Sequence, residues 1–243
     1  MQEHNISGKK IKIAVLVSGG GTNLQALLDA ERDGKIPSGT ISLVISNNQN
    51  AYALERAEKA GVETGWISRK KLGAEQFEQR LAETLESHEI GLVILAGFLC
   101  ILSEAFTKQY PNRILNIHPS LLPAFKGVDP AFYALLRQAR ETGATVHLQD
   151  EQFDHGAILE QSKLSIRPQD TLFSLNLKLF KLGAMSAVKQ IREFTVDIQG
   201  SAQATAGRYD SWPNPADTKQ FYQQRRYFRW REYLAFIRYT QTR

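Results

Sequence analysis

Apolar runs and helical patterns alternate along the first half of the chain. The run from Ile11 to Val17 is typical of a strand buried on both faces, as in a parallel sheet. In the segment 74–87, Phe77, Leu81 and Leu85 recur on one helical face. The alternation predicts an α/β fold with a doubly wound, mostly parallel sheet. The predicted strands are 11–17, 41–46, 62–68, 91–96 and 113–118, and the predicted helices are 24–30, 51–60, 74–87 and 103–109.

The pattern changes after His118, where prolines interrupt a loop. Two later strand-like runs are separated by only a short acidic loop, which favours an antiparallel pair near the end of the sheet. A long amphipathic helix follows and begins at a good cap residue, Asp170 or Thr171. The elements predicted here are a loop over 119–126, helices over 131–141 and 170–194, and strands over 144–149 and 157–166.

The last part of the chain differs in composition from the rest. Residues 199–207 are small and polar, as in a linker, and arginines interleaved with aromatic side chains follow. Residues 207–243 carry eight basic and three acidic side chains, so the net charge of +5 lies entirely in this tail. We therefore divide the chain into a domain of residues 1–198 and a linker with a basic, aromatic-rich helical extension, residues 199–243.

The extension has two interpretations. The spacing of Phe221, Phe228 and Tyr239 fits an amphipathic helix that packs on the domain or on a second subunit of a homodimer, with arginines facing water. The alternative is nucleic-acid contact through phosphate pairing and base stacking. We favour the packing interpretation.

Composition excludes several classes of protein. The chain is 42% hydrophobic and 23% charged, which is ordinary for a globular protein and excludes disorder of the whole chain. Because Cys100 is the only cysteine, a disulfide framework and a cysteine-based zinc site are excluded. Neither a secretory signal nor a membrane-spanning stretch is found, and no histidine spacing resembles a metal-ligand motif. We expect a cytoplasmic protein without membrane contact or metal.

A glycine-rich turn, Gly19 to Gly21, follows the first predicted strand and precedes a helix. Backbone N–H groups at a helix N-terminus bind phosphate well, and Thr22 and Asn23 add further donors. The turn is not a P-loop, because no Gly-Lys-Ser/Thr follows, and Leu24 replaces the third glycine of a dinucleotide fingerprint. It is either a seat for a phosphate monoester or a capped tight turn.

Asn116 and His118 lie two residues apart at the end of a predicted strand, so their side chains share one face. Ligands of open α/β sheets bind at such strand ends, where this pair could stabilise a developing oxyanion. Alternatively, Asn116 caps a turn and His118 satisfies a loop carbonyl. A carboxylate from the acidic loop 150–154 would favour the imidazolium of His118, although loop aspartates are usually only solvated. His147 lies on the strand before that loop.

These motifs occur in the same order in a known family. Over residues 11–191 the chain resembles the glycinamide ribonucleotide (phosphoribosylglycinamide) formyltransferases, folate-dependent formyltransferases of purine biosynthesis. The resemblance implies a Rossmann-like sheet and formyl transfer from 10-formyltetrahydrofolate, as co-substrate, to the primary amine of a phosphorylated substrate. The motifs are Ser18-Gly-Gly-Gly-Thr-Asn-Leu-Gln-Ala-Leu27, Leu95-Ala-Gly-Phe-Leu99, Leu115-Asn-Ile-His-Pro-Ser-Leu-Leu-Pro123 and Gly143-Ala-Thr-Val-His147, followed by Asp154.

The resemblance also implies roles for individual residues. Asn116, His118 and Asp154 match the catalytic trio. Gly21, Thr22 and Asn23 match the positions that hold the substrate phosphate. The positions that match the folate pocket are Leu99, Cys100, Ile101, Leu102, Asp150, Glu151, Gln152 and Phe153.

One departure from the family concerns the formyl acceptor. The family usually carries a glutamate in the late helix that holds the substrate ribose, and the best ungapped match places Gly183 there. Glycinamide ribonucleotide is the default acceptor, and an amino-sugar nucleotide or another small amine is the alternative. The alternative from a different functional class is a noncatalytic protein that binds a folate or a nucleotide, or that acts through its basic tail.

Overall fold

A computed structural model describes residues 10–150 and 154–194, together with the backbone of residues 210–211. Strands and helices alternate along most of this chain. The strands are β1 (Ile11–Val17), β2 (Gly39–Ser46), β3 (Glu63–Trp66), β4 (Leu92–Leu95), β5 (Ile114–His118), β6 (Lys126–Gly127), β7 (Glu141–Leu148), β8 (Ile158–Ser165) and β9 (Asp210–Ser211). The helices are α1 (Thr22–Arg32), α2 (Tyr52–Lys59), α3 (Arg69–Leu72), α4 (Ala74–Ser87), α5 (Glu104–Thr107), α6 (Pro130–Leu136) and α7 (Leu172–Arg192).

Seven strands form one sheet in the order β3-β2-β1-β4-β5-β7-β8. The strands from β3 to β5 pair in parallel, whereas β7 pairs antiparallel with both β5 and β8. The predicted Rossmann-like, mostly parallel sheet with an antiparallel pair near its end is confirmed. The strand order reverses beside β1, which opens a crevice between the carboxyl ends of β1 and β4.

The two faces of the sheet carry separate apolar cores. Ile13 and Val15 of β1 face a core that includes residues of α1 and α7, whereas Leu16 faces a core that includes Phe77 and Leu81 of α4. All five side chains are at most 1% exposed. Burial of each such side chain stabilises the fold by roughly 1.5–3 kcal/mol. A strand covered on both faces has no polar side, which explains the continuous apolar run of β1.

The long helix α7 begins with a capping box. Thr171 accepts a hydrogen bond from the backbone N–H of Ser174, and the Ser174 hydroxyl accepts one from the N–H of Thr171 at 2.9 Å. Thr171 is therefore the cap, of the two alternatives that the sequence offered. Asp170 instead accepts from the N–H of Arg167 at 2.9 Å and pairs with Lys178.

The structure departs from the predicted elements at three places: one helix ends earlier than predicted, and two short elements were not predicted. The helix expected over 131–141 ends at Leu136, because Gln138 takes a left-handed conformation with φ of 52° and Glu141 already begins β7. The short helix α3 was not predicted. Neither was β6, which lies at the end of the expected loop and pairs in parallel with β9.

The remaining prediction for the C-terminal part concerns a linker and a helical extension from residue 199. Apart from the backbone of residues 210–211, this part lies outside the described residues. No helix within the described ranges is both long and apolar enough to cross a lipid bilayer.

Candidate active site

The glycine turn connects β1 to α1 through a left-handed residue. Gly21 caps α1 with φ of 72° and ψ of 33°, a conformation that costs a side-chain-bearing residue energy. A Cβ atom on Gly21 would also lie 2.7 Å from the Cβ of Ala53. Both the backbone and the close approach of α2 therefore require glycine here.

Helix α2 holds the glycine turn through hydrogen bonds that it donates to carbonyl groups of the turn. Arg56 is 4% exposed and donates from Nε to the carbonyl of Gly20 at 2.7 Å, while the N–H of Ala53 donates to the carbonyl of Gly19 at 3.1 Å. These bonds draw towards α2 the carbonyl oxygens that would repel an anion. No role was predicted for Arg56, because its burial against the turn depends on the packing of α2 and is not visible in the local sequence.

The turn lines a cavity of about 260 Å³ in the crevice where the strand order reverses. The predicted phosphate-binding residues Gly21, Thr22 and Asn23 all lie on its wall. Asn23 is 6% exposed, and its Oδ1 atom is buried with no hydrogen-bond partner among the described residues. Buried polar atoms are almost always paired, so this acceptor is an exception within the described ranges. The rest of the wall comprises Gly19, Gly20, Ala96, Gly97 and Phe180.

The predicted catalytic trio comes together at the carboxyl end of β5. The Nδ1 atom of His118 lies 3.2 Å from Oδ2 of Asp154, and Asn116 donates from Nδ2 to Oδ1 of Asp154 at 3.0 Å. His118 and Asp154 are 4% and 3% exposed. Asn116 and His118 thus share one buried hydrogen-bond network with Asp154, which lies 38 and 36 positions later in the sequence.

The carboxyl group of Asp154 is held in its charged form. Burial raises its pKa, but the opposing charge and hydrogen bond of His118 and the hydrogen bond of the Gly127 N–H outweigh burial. The pKa of Asp154 therefore lies well below its usual range. The Gly127 N–H donates to Oδ2 at 2.9 Å.

Both ring nitrogens of His118 face acceptors. Nδ1 faces the charged Asp154, and Nε2 lies 2.9 Å from the carbonyl oxygen of Phe125. Only the imidazolium can donate to both. A substrate oxygen that accepts a hydrogen bond from Nε2 of His118 must take the place of the carbonyl oxygen of Phe125.

His147 completes the cluster, although the sequence analysis gave it no role. It is opposite Asn116 in the β5–β7 register and is fully buried, with Nε2 at 3.0 Å from Nδ2 of Asn116. Its Nδ1 lies 2.8 Å from the carbonyl of Leu148, which assigns the proton to Nδ1 and the acceptor role to Nε2. The Asn116 amide therefore bridges His147 and Asp154, and pairing with the next strand was the missing signal.

The predicted folate residues are distributed unevenly. Leu99 and Ile101 are 66% and 47% exposed after β4, beside the crevice, and the N–H of Leu99 donates to the Ser18 hydroxyl at 2.7 Å. Leu102 is buried in the apolar core. Cys100 accepts a hydrogen bond from Asn47 at 2.9 Å. Asp150 binds His155 at 2.9 Å, and Glu151, Gln152 and Phe153 lie outside the described residues.

The sequence profile of a family described as formyl transferase matches residues 11–191. The chain belongs to this family. A phosphoribosylglycinamide formyltransferase of Haemophilus influenzae is 41% identical over 162 residues, covering 66% of this chain and 76% of that protein. The solved glycinamide ribonucleotide transformylase 1 of Symbiobacterium toebii superposes with a TM-score of 0.73 at 38% identity, covering 79% of this chain and 90% of that one. The resemblance inferred from the motifs is confirmed.

Longer relatives contain the family's domain as a fraction of their length. The trifunctional purine biosynthetic protein adenosine-3 of Gallus gallus is 41% identical over 172 residues, which is 70% of this chain and 17% of that protein. The present chain therefore corresponds to one part of the trifunctional relatives. Within the described ranges, no group of three or more histidine, cysteine or acidic side chains is placed to hold a metal ion.

Proposed function

We propose that this chain transfers a formyl group from 10-formyltetrahydrofolate to the primary amine of glycinamide ribonucleotide, a reaction of purine biosynthesis. The observation that carries the proposal is the convergence of Asn116, His118 and Asp154 within 3.2 Å contacts at the end of β5. The glycine-turn cavity lies at the end of the neighbouring pair of strands, β1 and β4, where a phosphorylated substrate can bind.

The first task of the site is to hold the acceptor. The N-terminus of α1 and the N–H groups of the turn favour a phosphate, with Gly21, Thr22 and Asn23 as its ligands. Binding of the phosphate restricts where the amine of the acceptor can lie. Such positioning lowers the activation barrier of a reaction between two substrates.

The second task is to stabilise charge at the formyl oxygen. As the amine bonds to the formyl carbon, His118 donates its Nε2 proton to the oxygen on which negative charge develops. Asp154 keeps the ring charged and oriented from the opposite side, and Asn116 fixes the other oxygen of Asp154. One well-placed donor of this kind is worth roughly 3 kcal/mol of activation barrier.

The third task is to move a proton. The bond from the formyl carbon to the folate nitrogen breaks, and that nitrogen must gain the proton that the acceptor amine loses. His118 or an ordered water can carry this proton, because an imidazole nitrogen can both donate and accept a proton. The folate ring would lie against the exposed side chains of Leu99 and Ile101, two of the positions that the resemblance implies.

The proposal is tested by incubating the purified chain with 10-formyltetrahydrofolate and one amine at a time, following tetrahydrofolate release. Glycinamide ribonucleotide, an amino-sugar nucleotide and free glycinamide form the panel. We expect the fastest transfer with glycinamide ribonucleotide and slow transfer with free glycinamide, which lacks the phosphate. Faster transfer to the amino-sugar nucleotide would reassign the acceptor. Folate binding without transfer to any amine would support the noncatalytic alternative.

A further inference from the structure

The late helix α7 contributes one aromatic side chain to the glycine-turn cavity. Phe180 lies on the cavity wall together with the turn and the residues that follow β4. Gly183, one helical turn later, faces the sheet instead. A Cβ atom on Gly183 would lie 2.7 Å from Cγ2 of Ile117 and 3.4 Å from the Cβ of Ala144. Position 183 is therefore a packing position, and Phe180 is the residue through which α7 reaches the cavity.

The cavity wall has an unusual balance of groups for a sugar-phosphate site. The eight wall residues that belong to the described part of the chain include no charged side chain. The polar side chains on the wall are Thr22 and Asn23, both at the turn, where the phosphate is expected. The volume of about 260 Å³ exceeds that of a phosphate group, so the group attached to the phosphate extends along Phe180.

An aromatic ring recognises a ligand differently from a carboxylate or an amide. A phenyl ring has no hydrogen-bonding atom, so it cannot distinguish a hydroxyl from a hydrogen by pairing. It offers a flat apolar face on which the C–H groups of a sugar can pack. Sites that hydrogen-bond a hydroxyl reject an analogue without it by large factors, whereas apolar walls discriminate weakly.

We propose that Phe180 is the sugar-binding residue of the acceptor subsite, where its ring packs on the apolar face of the acceptor's sugar. Acceptor selection at this wall rests on shape and apolar contact rather than on hydrogen bonds to the ring hydroxyls. The inference rests on the proposed function, in that the acceptor is taken to be an amine carried by a sugar phosphate.

Binding of two simple sugar phosphates tests this inference without any formyl transfer. Titration calorimetry measures Kd for ribose 5-phosphate and for 2-deoxyribose 5-phosphate with the full chain. We expect the two Kd values to agree within about threefold, because an apolar wall does not pair with the 2-hydroxyl. A preference for ribose 5-phosphate above about tenfold, or failure of both compounds to bind, would overturn the proposal.

Two variants of Phe180 sharpen the test. Phe180→Leu should weaken binding of both sugar phosphates by roughly tenfold, because the flat contact surface is lost. Phe180→Gln should also bind both more weakly but prefer the ribose compound by about fivefold, since an amide can pair with the 2-hydroxyl. Phe173→Leu is the matched control on the same helix, because Phe173 is not on the cavity wall, and its Kd values should equal those of the wild type. Unchanged binding in Phe180→Leu contradicts the proposal.

Formyl transfer separates this inference from the proposed function. With glycinamide ribonucleotide as acceptor, Phe180→Leu should raise KM by roughly tenfold and leave kcat within about threefold, because it changes binding and not the trio. A fall in kcat with KM unchanged would contradict the assignment. If the wild-type chain binds sugar phosphates as expected but transfers no formyl group, the proposed function fails and the role of Phe180 in binding stands.

Discussion

The glycine-turn cavity and the cluster of Asn116, His118 and Asp154 use their polar groups in opposite ways. In the cavity, Asn23 keeps a buried acceptor that no described residue pairs. In the cluster, Asp154 accepts from Asn116, from His118 and from the N–H of Gly127. The cavity is thus open to a ligand, whereas the cluster uses its bonds to hold a charge and a ring in place. Binding and catalysis should therefore be separable by mutation.

The largest effect is expected for His118→Ala. Loss of the donor should lower kcat/KM for formyl transfer by at least 10³-fold, roughly the effect of removing an oxyanion donor. Binding of ribose 5-phosphate in the turn cavity should remain within about threefold of the wild type, because His118 does not line it.

His88→Ala is the control for this variant, because His88 also pairs with a carboxylate, Glu63 at 3.0 Å, but lies outside the site. Its activity should be that of the wild type. Full activity of His118→Ala, with a thermal unfolding midpoint near that of the control, would refute the catalytic assignment.

Asp154→Asn tests the charge of the cluster. Removing one partner of a buried ion pair should reduce the free energy of unfolding by about 3 kcal/mol at pH 7 and greatly lower activity. Because the folded-state pKa of Asp154 is depressed, its contribution is complete above the ordinary value of about 3.9 and is lost as pH falls below it. The stability difference between wild type and variant should thus stay constant from about pH 7 to about pH 5 and narrow below about pH 4.

Urea unfolding at several pH values measures this difference. Asp33→Asn serves as the exposed control, since the ion-pair partners of Asp33 within the described ranges are the exposed Lys35 and Arg32, and the change should affect stability little. A stability difference between wild type and Asp154→Asn that widens on acidification would contradict the assigned charge state.

Gly21→Ala tests the glycine-turn cavity, the other of the two regions compared. The left-handed backbone and the 2.7 Å approach to Ala53 should together cost about 2 kcal/mol of stability and weaken sugar-phosphate binding by roughly tenfold or more. Gly61→Ala provides the control, because Gly61 also has a positive φ, of 74°, but has open space around it. It should lose about 1 kcal/mol and no binding. Equal effects of the two variants on binding would show that the turn is only structural.

The smallest effect is expected for Thr171→Ala, which removes the N-cap of α7. Stability should fall by about 1 kcal/mol, the usual value of an N-cap. Formyl transfer measured well below the unfolding midpoint should be unchanged. A large loss of activity would indicate that the helix end positions the site.

Features that depend on neighbouring residues were predictable from the sequence. The apolar run of β1 and the spacing of Phe77, Leu81 and Leu85 in α4 define their elements, because burial and helical geometry act over a few residues. The position of the glycine turn between a strand and a helix was also predictable, since a strand, three glycines and a helix follow in direct succession.

Features that depend on distant pairing were not predictable. The helix α6 ends earlier than its pattern suggests, because β7 must begin at Glu141 to pair with β8. The strand β6 has two residues and forms only with β9, so its local pattern carries no signal. Gly183 matched the expected acceptor-binding position, but packing of α7 on Ile117 turns that position inward and brings Phe180 to the cavity.

The sequence by itself determined the alternation of strands and helices, the chemistry of the turn and the types of residue available for catalysis. The tertiary structure alone decided which of them meet. Asn116 reaches His147 because the β5–β7 register sets the two opposite each other, and a shift by one residue would turn His147 to the other face. Asp154 lies 3.2 Å from His118 although 36 positions separate the two residues in the sequence. Such contacts join residues far apart in the chain, and no local pattern encodes them.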